Sequence, residues 1–177
     1  MIILLLHMFT TQSASTSLFT FGKQGNTDDW FIINDGVMGG LSAGTVTDTE
    51  QTTIFEGTVS LDNNGGFTAY RSPYGTFDFS AYETVTIRAR GGGQVIGFSL
   101  QMARAYYEPY YRVTFEPTNE WQEYTFSLRD MPAMRLGRSL GWSMTTAELA
   151  KVIRLGFITT AKKAGAFEVE IDYIKFQ

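Results

Sequence analysis

"VIGFSLQM", residues 95–102, sets Ile96, Phe98, Leu100 and Met102 at every second position, with Gly97, Ser99 and Gln101 between them. A period of two marks a strand that buries one face and wets the other. The same alternation runs over part of "TIFEGTVSL" (53–61), "TVTIRAR" (84–90), "YRVTFE" (111–116) and "YTFSL" (124–128). "RLGFITT" (154–160) and "AFEVEIDYIKF" (166–176) complete the set. Turn-forming clusters punctuate these runs: "DNNGG" at 62–66, "GGG" at 91–93, "PTNE" at 117–120 and "KKAG" at 162–165. Half-buried strands at such spacing predict an all-β antiparallel sandwich or barrel. One segment departs from the pattern. "TTAELAKVI" offers Thr145 as N-cap and Glu148 three residues later, a capping box that predicts a helix of about two turns over one end of the sandwich. Arg129 to Met144 shows no regular period and reads as a long loop.

Composition narrows the function classes. Apolar residues at 44% and aromatics at 15% of 177 residues supply a core and exclude a disordered chain. A net charge of −4, with no basic run longer than Lys162-Lys163, argues against a nucleic-acid partner, which needs a basic stripe to neutralise phosphates. The absence of cysteine removes disulfides, thiolate metal sites and cysteine nucleophiles. The opening "MIILLLHMFTTQSAS" has an apolar run too short to span a bilayer, so no stable membrane span is expected there. Small residues follow it at Ser13, Ala14 and Ser15, although a basic n-region is missing. Residues 1–16 therefore read as a leader or signal peptide and 17–177 as one β-sandwich domain, which favours an exported or periplasmic protein over a cytoplasmic one.

"NDGVMGGLSAG" (34–44) invites comparison with a phosphate cradle. It lacks the Gly-Lys-Ser/Thr of the P-loop, and a strand-like "TVTDT" follows it where a dinucleotide fingerprint needs a helix. A demanding turn fits better. Asn34 and Asp35 can bond nearby backbone as Asx-turns, and Gly36, Gly39 and Gly40 permit positive φ. Met38 stands at the tip, read either as a partner contact or as folding back into the core.

Four motifs stand in order along the chain: W-x3-NDGVMGG-x-S-x-G (Trp30 to Gly44), F-x-G (Phe55 to Gly57), LDNNGGF-x3-R (Leu61 to Arg71), and LGF followed by EIDYI. Together they resemble the complex I intermediate-associated protein 30 family, over nearly all of Phe19 to Phe176. The resemblance implies a galactose-binding-like jelly-roll sandwich. Mitochondrial members of that family assist assembly of respiratory complex I, and related sandwiches serve as carbohydrate-binding modules. Trp30, Asn34, Asp35, Gly36, Met38, Gly39, Gly40, Ser42, Asn64, Gly65, Gly66, Phe67 and Arg71 become signature positions with structural roles. Arg71 is expected to pair with Asp35 and tie the first turn to the strand beginning at Phe67, with a ligand site lined by the two as the alternative.

The wetted faces hold the candidate binding residues. With Val85, Ile87 and Ala89 inward, Thr86, Arg88 and Arg90 point outward. Ser99 and Gln101 do so on the next strand, and Tyr110, Arg112 and Thr114 on the one after. Read as neighbours on one sheet, Arg88, Gln101, Tyr110 and Arg112 suit a sugar, with planar donors for hydroxyls and a tyrosine platform for the ring. The same residue types are enriched at protein interfaces, and an ordinary solvated face shares the pattern. The adjoining loop "ARAYYEPYYR" adds Tyr106 and Tyr107, large contact surfaces of low entropic cost.

Catalysis has little material. His7, the only histidine, lies in the leader, so neither a Ser-His-Asp triad nor a histidine metal site can form. Glu56, Glu116, Glu123 and Asp172 remain as carboxylates for glycoside hydrolysis, but acids on alternating strands are ordinary surface residues. A calcium ion of the kind carried by many related sandwiches would use Asp172, yet Thr20 stands where the first strand should supply an acid. The sequence therefore predicts a non-catalytic binding module without cofactor or metal. A protein partner or client is its expected ligand, and a carbohydrate held on the outer face of one sheet is the alternative.

Overall fold

The computed structural model describes residues 16–177, so the leader assignment and His7 lie outside the described residues. Two antiparallel sheets pack face to face. The first takes β3 (Ala43–Asp48), β4 (Thr53–Val59), β13 (Gly165–Phe176), β6 (Thr84–Gly92) and β9 (Gln122–Ser127) in that spatial order. β1 (Ser17–Thr20) also pairs with β13, in line with β4. The second sheet runs β11 (Arg138–Ser143), β10 (Pro132–Arg135), β8 (Tyr110–Phe115), β7 (Ile96–Gln101), β12 (Arg154–Thr159), β5 (Thr68–Arg71) and β2 (Phe31–Asn34). The expected jelly-roll sandwich is the observed fold.

The alternating residues meet between the sheets. Val85, Ile87 and Ala89 of β6 and Val169, Ile171, Ile174 and Phe176 of β13 are buried on one side. Ile96, Phe98 and Leu100 of β7, with Leu155 and Phe157 of β12, are buried on the other. Aromatic rings fill one end. Trp30 lies 5.3 Å from Phe21 and 5.4 Å from Tyr70, and Phe79 stacks on Phe176 at 3.9 Å. Such pairs add about 0.5–1.5 kcal/mol each beyond the area they bury. In β13 the register slips between Ile171 and Tyr173, leaving Asp172 as the extra residue of a bulge. This is why the buried positions step from 167, 169 and 171 to 174 and 176.

Two local expectations change. Residues 129–144 are not a loop but largely the hairpin β10–β11, turned at Leu136 (φ 48°) and Gly137 (φ 78°). Two successive positive φ values match a two-residue hairpin turn, disguised because a leucine occupies the first site, where Asn or Asp is usual. The helix α1 (Thr146–Leu149) is a single turn rather than two. Its capping box is complete, but Val152 already forms a bridge to Phe77, pulling the chain toward β12. Glu148 of that box also accepts from the hydroxyl of buried Tyr111, fastening the helix to β8.

The signature loop is held by Asp35, 1% exposed. Its carboxylate accepts from the Ser42 hydroxyl at 2.5 Å and amide at 2.9 Å, and from the amides of Gly66 at 2.6 Å and Phe67 at 3.3 Å. Asp35 thus does tie the first turn to the segment at Phe67, but through backbone amides and not through Arg71, which lies on the outer face of the second sheet. Four donors already saturate the carboxylate, leaving no place for a guanidinium. The glycines of the two motifs fit around it. A Cβ on Gly40 would collide with the Asp35 carboxyl group, and one on Gly65 would stand 2.6 Å from Oδ2. Only Gly39 of the first motif needs positive φ (88°), as the cap of the short 3-10 turn Asp35–Met38. Asn34 makes no local Asx-turn. Its Oδ1 accepts from the amide of Gly44 at 3.0 Å across the loop.

Burial alone would raise the Asp35 pKa, but the Ser42 hydroxyl and the Gly66, Phe67 and Ser42 amides together hold it below the usual carboxylate value. Its contribution is therefore fully present above about pH 4 and is lost as pH falls through the lower folded value. Asp35→Ala should cost about 3 kcal/mol or more by stranding these donors, lowering Tm by roughly 10 °C. Thermal melts from pH 7 to pH 2.5 check both points, since Asp35→Asn should be less stable at neutral pH and lose less on acidification.

Candidate functional site

The two sheets present opposite outer faces, and the expected binding residues divide between them. β6 and β7 are consecutive in sequence but lie in different sheets. Arg88 therefore faces away from the first sheet, while Gln101, Tyr110 and Arg112 face away from the second. Strand parity is right for all four residues. Adjacency fails because the chain crosses between sheets after Gly93.

On the first sheet, Trp121 lies between two guanidiniums, Arg88 at 4.7 Å and Arg90 at 5.0 Å from its ring centre. These border an open cleft of about 490 Å³ with Thr49–Thr52, Glu170 and Asp172. Both arginines are neutralised. Arg88 pairs with Asp172, and Arg90 with Glu170 at 2.6 Å. Glu170 also accepts from Thr52 at 2.7 Å. The Asp172 carboxylate weighed for calcium is thus taken by a guanidinium, and among the described residues no three acidic or histidine side chains converge on a metal position. Glu123, one of the acids considered for hydrolysis, accepts from the Tyr173 hydroxyl, whose pKa burial and that carboxylate raise to about 12.

The second sheet's outer face is built differently. Cross-strand register aligns Arg154, Gln101, Tyr110 and Met134 in one row. The next row aligns Phe31, Arg71, Gly156, Ser99 and Arg112. Gly156 and Ser99 form a floor between Arg71 and Arg112, whose backbones stand three strand spacings apart, about 14 Å. The floor must be small. A Cβ on Gly156 would meet Cγ of Arg71 at 2.7 Å, and one on Gly97 would meet Cδ of Arg112 at 2.7 Å, so both arginine stems lie down across glycine. The Ser99 hydroxyl is turned into the sheet, donating to the Gly156 carbonyl at 3.2 Å.

Beside the floor rises a ladder of alternating rings and guanidiniums. Arg154 lies 5.2 Å from the Phe31 ring centre and 3.6 Å from that of Tyr74, and Arg104 covers Tyr74 at 4.7 Å. Arg154 is only 7% exposed and its Nε has no hydrogen-bond partner. Among the described residues the ion pairs are Lys23–Glu50, Arg88–Asp172 and Arg90–Glu170. Arg71, Arg104, Arg112 and Arg154 thus share one face without a carboxylate partner. Burial, then the charge of Arg154, lowers the pKa of Arg71. Burial lowers that of Arg154 as well, with Arg104 adding to the effect and Tyr74 opposing it. Arginine stays charged all the same, so the face holds crowded, partly desolvated cations.

Tyr110 and Arg112 sit on this surface, 5.8 Å from ring centre to guanidinium carbon, and Gln101 pairs with Tyr110 across the strands. Tyr106 and Tyr107 stand 78% and 56% exposed on the β7–β8 loop, edge to face at 5.6 Å. Met38 is 67% exposed at the far tip of the signature loop, away from the core. Phe31, Tyr74, Arg104 and Arg154 are members of this surface that sequence reasoning missed. Arg154 was accessible by parity, since it precedes inward Leu155 in the run already read as a strand. Tyr74 and Arg104 come from connections, where no period assigns a face.

The fold is that of an antiparallel jelly-roll sandwich, and solved carbohydrate-binding modules share it. A family 11 carbohydrate-binding module from Clostridium thermocellum in complex with a beta-1,3-1,4-mixed-linked tetrasaccharide is 15% identical, with a TM-score of 0.67 over 93% of this chain and 96% of that one. A mutant of a family 29 carbohydrate-binding module, complexed with mannohexaose, is 11% identical, with a TM-score of 0.55 over 93% of this chain and 92% of that one. At these identities the likeness is one of fold. No curated protein sequence matches. The family itself is shown: residues 19–171 match complex I intermediate-associated protein 30 (CIA30), and the chain belongs to that family.

Replacing Tyr74 with alanine should remove two cation–π contacts and expose Arg154, costing about 1 kcal/mol. Urea titration of the purified domain measures that loss.

Proposed function

We propose that this domain is a non-catalytic recognition module and that it binds a glycan chain on the outer face of its seven-stranded sheet. The observation that carries the reading is the row Arg71–Gly156–Ser99–Arg112 with Tyr110 beside it. Arginine stems cover the buried Gly156 and Ser99, their guanidinium forks donate to ring substituents, and tyrosine offers an apolar platform. Exposed Tyr106 and Tyr107 form the rim. The bound sugars in the family 11 and family 29 structures are consistent with this use of the fold. A glycan array with the purified domain should give binding that Tyr110→Ala weakens about tenfold without changing Tm, while Arg88→Ala, on the opposite sheet, leaves it intact. A blank array overturns the reading.

A protein client is favoured by a separate observation and by the family's assembly role. Val37, Met38 and Leu41 are 78%, 67% and 61% exposed on the signature loop, an apolar group rimmed by polar residues. Under this reading Met38→Asp should abolish co-purification of a partner with the tagged protein and leave glycan binding unaltered. Retention of the partner by Met38→Asp counts against this second surface.

A further inference from the structure

The chemistry of the seven-stranded face points to the charge of its ligand. A neutral sugar presents hydroxyls that both donate and accept, so a neutral-glycan site balances its donors with acceptors, carboxylates above all. Here the guanidiniums of Arg71, Arg104, Arg112 and Arg154 contribute donors only, among the described residues no carboxylate pairs with any of them, and the acceptors beside them, Gln101 and Tyr110, are neutral. The contrast with the opposite sheet is internal to the molecule: Arg88 and Arg90 also stack on an aromatic ring, yet each has its acid. Arg154 is over nine-tenths buried with Nε unsatisfied. A buried cation without an anion is costly, and a bound anion relieves that cost. Resting on the glycan reading, we infer that the chain bound here is an acidic polysaccharide, its uronate carboxylates held by the guanidiniums of Arg71 and Arg112.

The geometry fits a planar anion. A guanidinium engages a carboxylate through two parallel N–H bonds, and arginine stems pressed across glycine hold that fork in place at the surface. The Arg154–Tyr74–Arg104 ladder supplies positive charge at one side, and Tyr110 the ring contact at the other. Attraction of this kind falls as salt screens it.

Isothermal titration of the full chain tests the inference with hexagalacturonate, the same hexasaccharide reduced at its carboxyl groups, mannohexaose, a sulfated galactan oligosaccharide and poly-glutamate. Hexagalacturonate should bind at least tenfold more tightly than its reduced form and lose affinity with added salt. Arg112→Gln and Arg71→Gln should each cost about tenfold, the loss of one charge-assisted contact, with unchanged Tm. If Arg71→Gln lowers Tm, the exposed Arg104→Gln replaces it and should weaken binding by a smaller factor. Equal affinity for the acidic and reduced hexasaccharides overturns the acidic inference and leaves the glycan reading standing. Tighter binding of the sulfated oligosaccharide, or of poly-glutamate, overturns the uronate assignment, and failure of every glycan overturns both readings.

Discussion

A single buried carboxylate organises the part of the chain that identifies its family. Asp35 draws the Ser42 hydroxyl and three backbone amides from two motifs that lie 31 residues apart in the case of Gly66. Those amides belong to loop backbone that would otherwise have to find water or ladder partners. Their convergence on one acceptor extends the contact between the "NDGVMGG" and "NNGGF" segments beyond the point where β2 and β5 stop pairing at Asn34 and Thr68. The constraint then spreads through sterics. Gly40 and Gly65 must lack a Cβ because they approach the carboxylate, and Ser42, doubly bonded to it, also accepts from the Ser60 amide at 3.0 Å, just past β4. What looked like a chemically active loop is a knot around one acid.

With Asp35 satisfied by neutral donors, Arg71 is released from any structural pairing, and this shapes the electrostatics of the second sheet. The sandwich divides its arginines. Arg88 and Arg90 are matched by Asp172 and Glu170 on one face. Arg71, Arg104, Arg112 and Arg154 on the other are matched only by rings, or by nothing. A chain of net charge −4 has acids to spare, so their absence from this surface is a matter of placement rather than supply. Stacking on Phe31 and Tyr74 offsets part of the desolvation of Arg154 while leaving its charge uncompensated.

Much of this architecture was legible from period and punctuation. The strands, their inward faces and the capping box at Thr145 followed from side-chain parity and cap chemistry. Even the bulge at Asp172 is written in "FEVEIDYIKF", where the apolar spacing changes from two to three. Sheet membership was not legible. Parity fixes in and out for Arg88 and Gln101 but cannot say that the chain crosses between sheets after Gly93, because strands on either layer obey the same period. The Arg71–Asp35 pairing failed for a related reason. Opposite charges in two motifs suggest a salt bridge, yet the carboxylate's lone pairs were already claimed by backbone donors that carry no sequence signal. The β10–β11 hairpin was hidden by Leu136 in a conformation that glycine, Asn or Asp usually marks.

The outer face of the second sheet owes its shape to residues with almost no side chain. Gly156 and Gly97 let the stems of Arg71 and Arg112 lie along the sheet rather than stand out from it. An arginine projecting freely into water gives up rotamer freedom when it binds, a cost of about 0.5–1.5 kcal/mol for each immobilised side chain. Stems already pressed on a glycine floor, and a guanidinium already held between two rings, have given up part of that freedom during folding. That entropy is lost on folding, where the aromatic core offsets it, and the face is set in place before anything binds it. On the reading proposed above, a flat face without a deep pocket would recognise an extended chain through fixed donors in register with the strands rather than through enclosure.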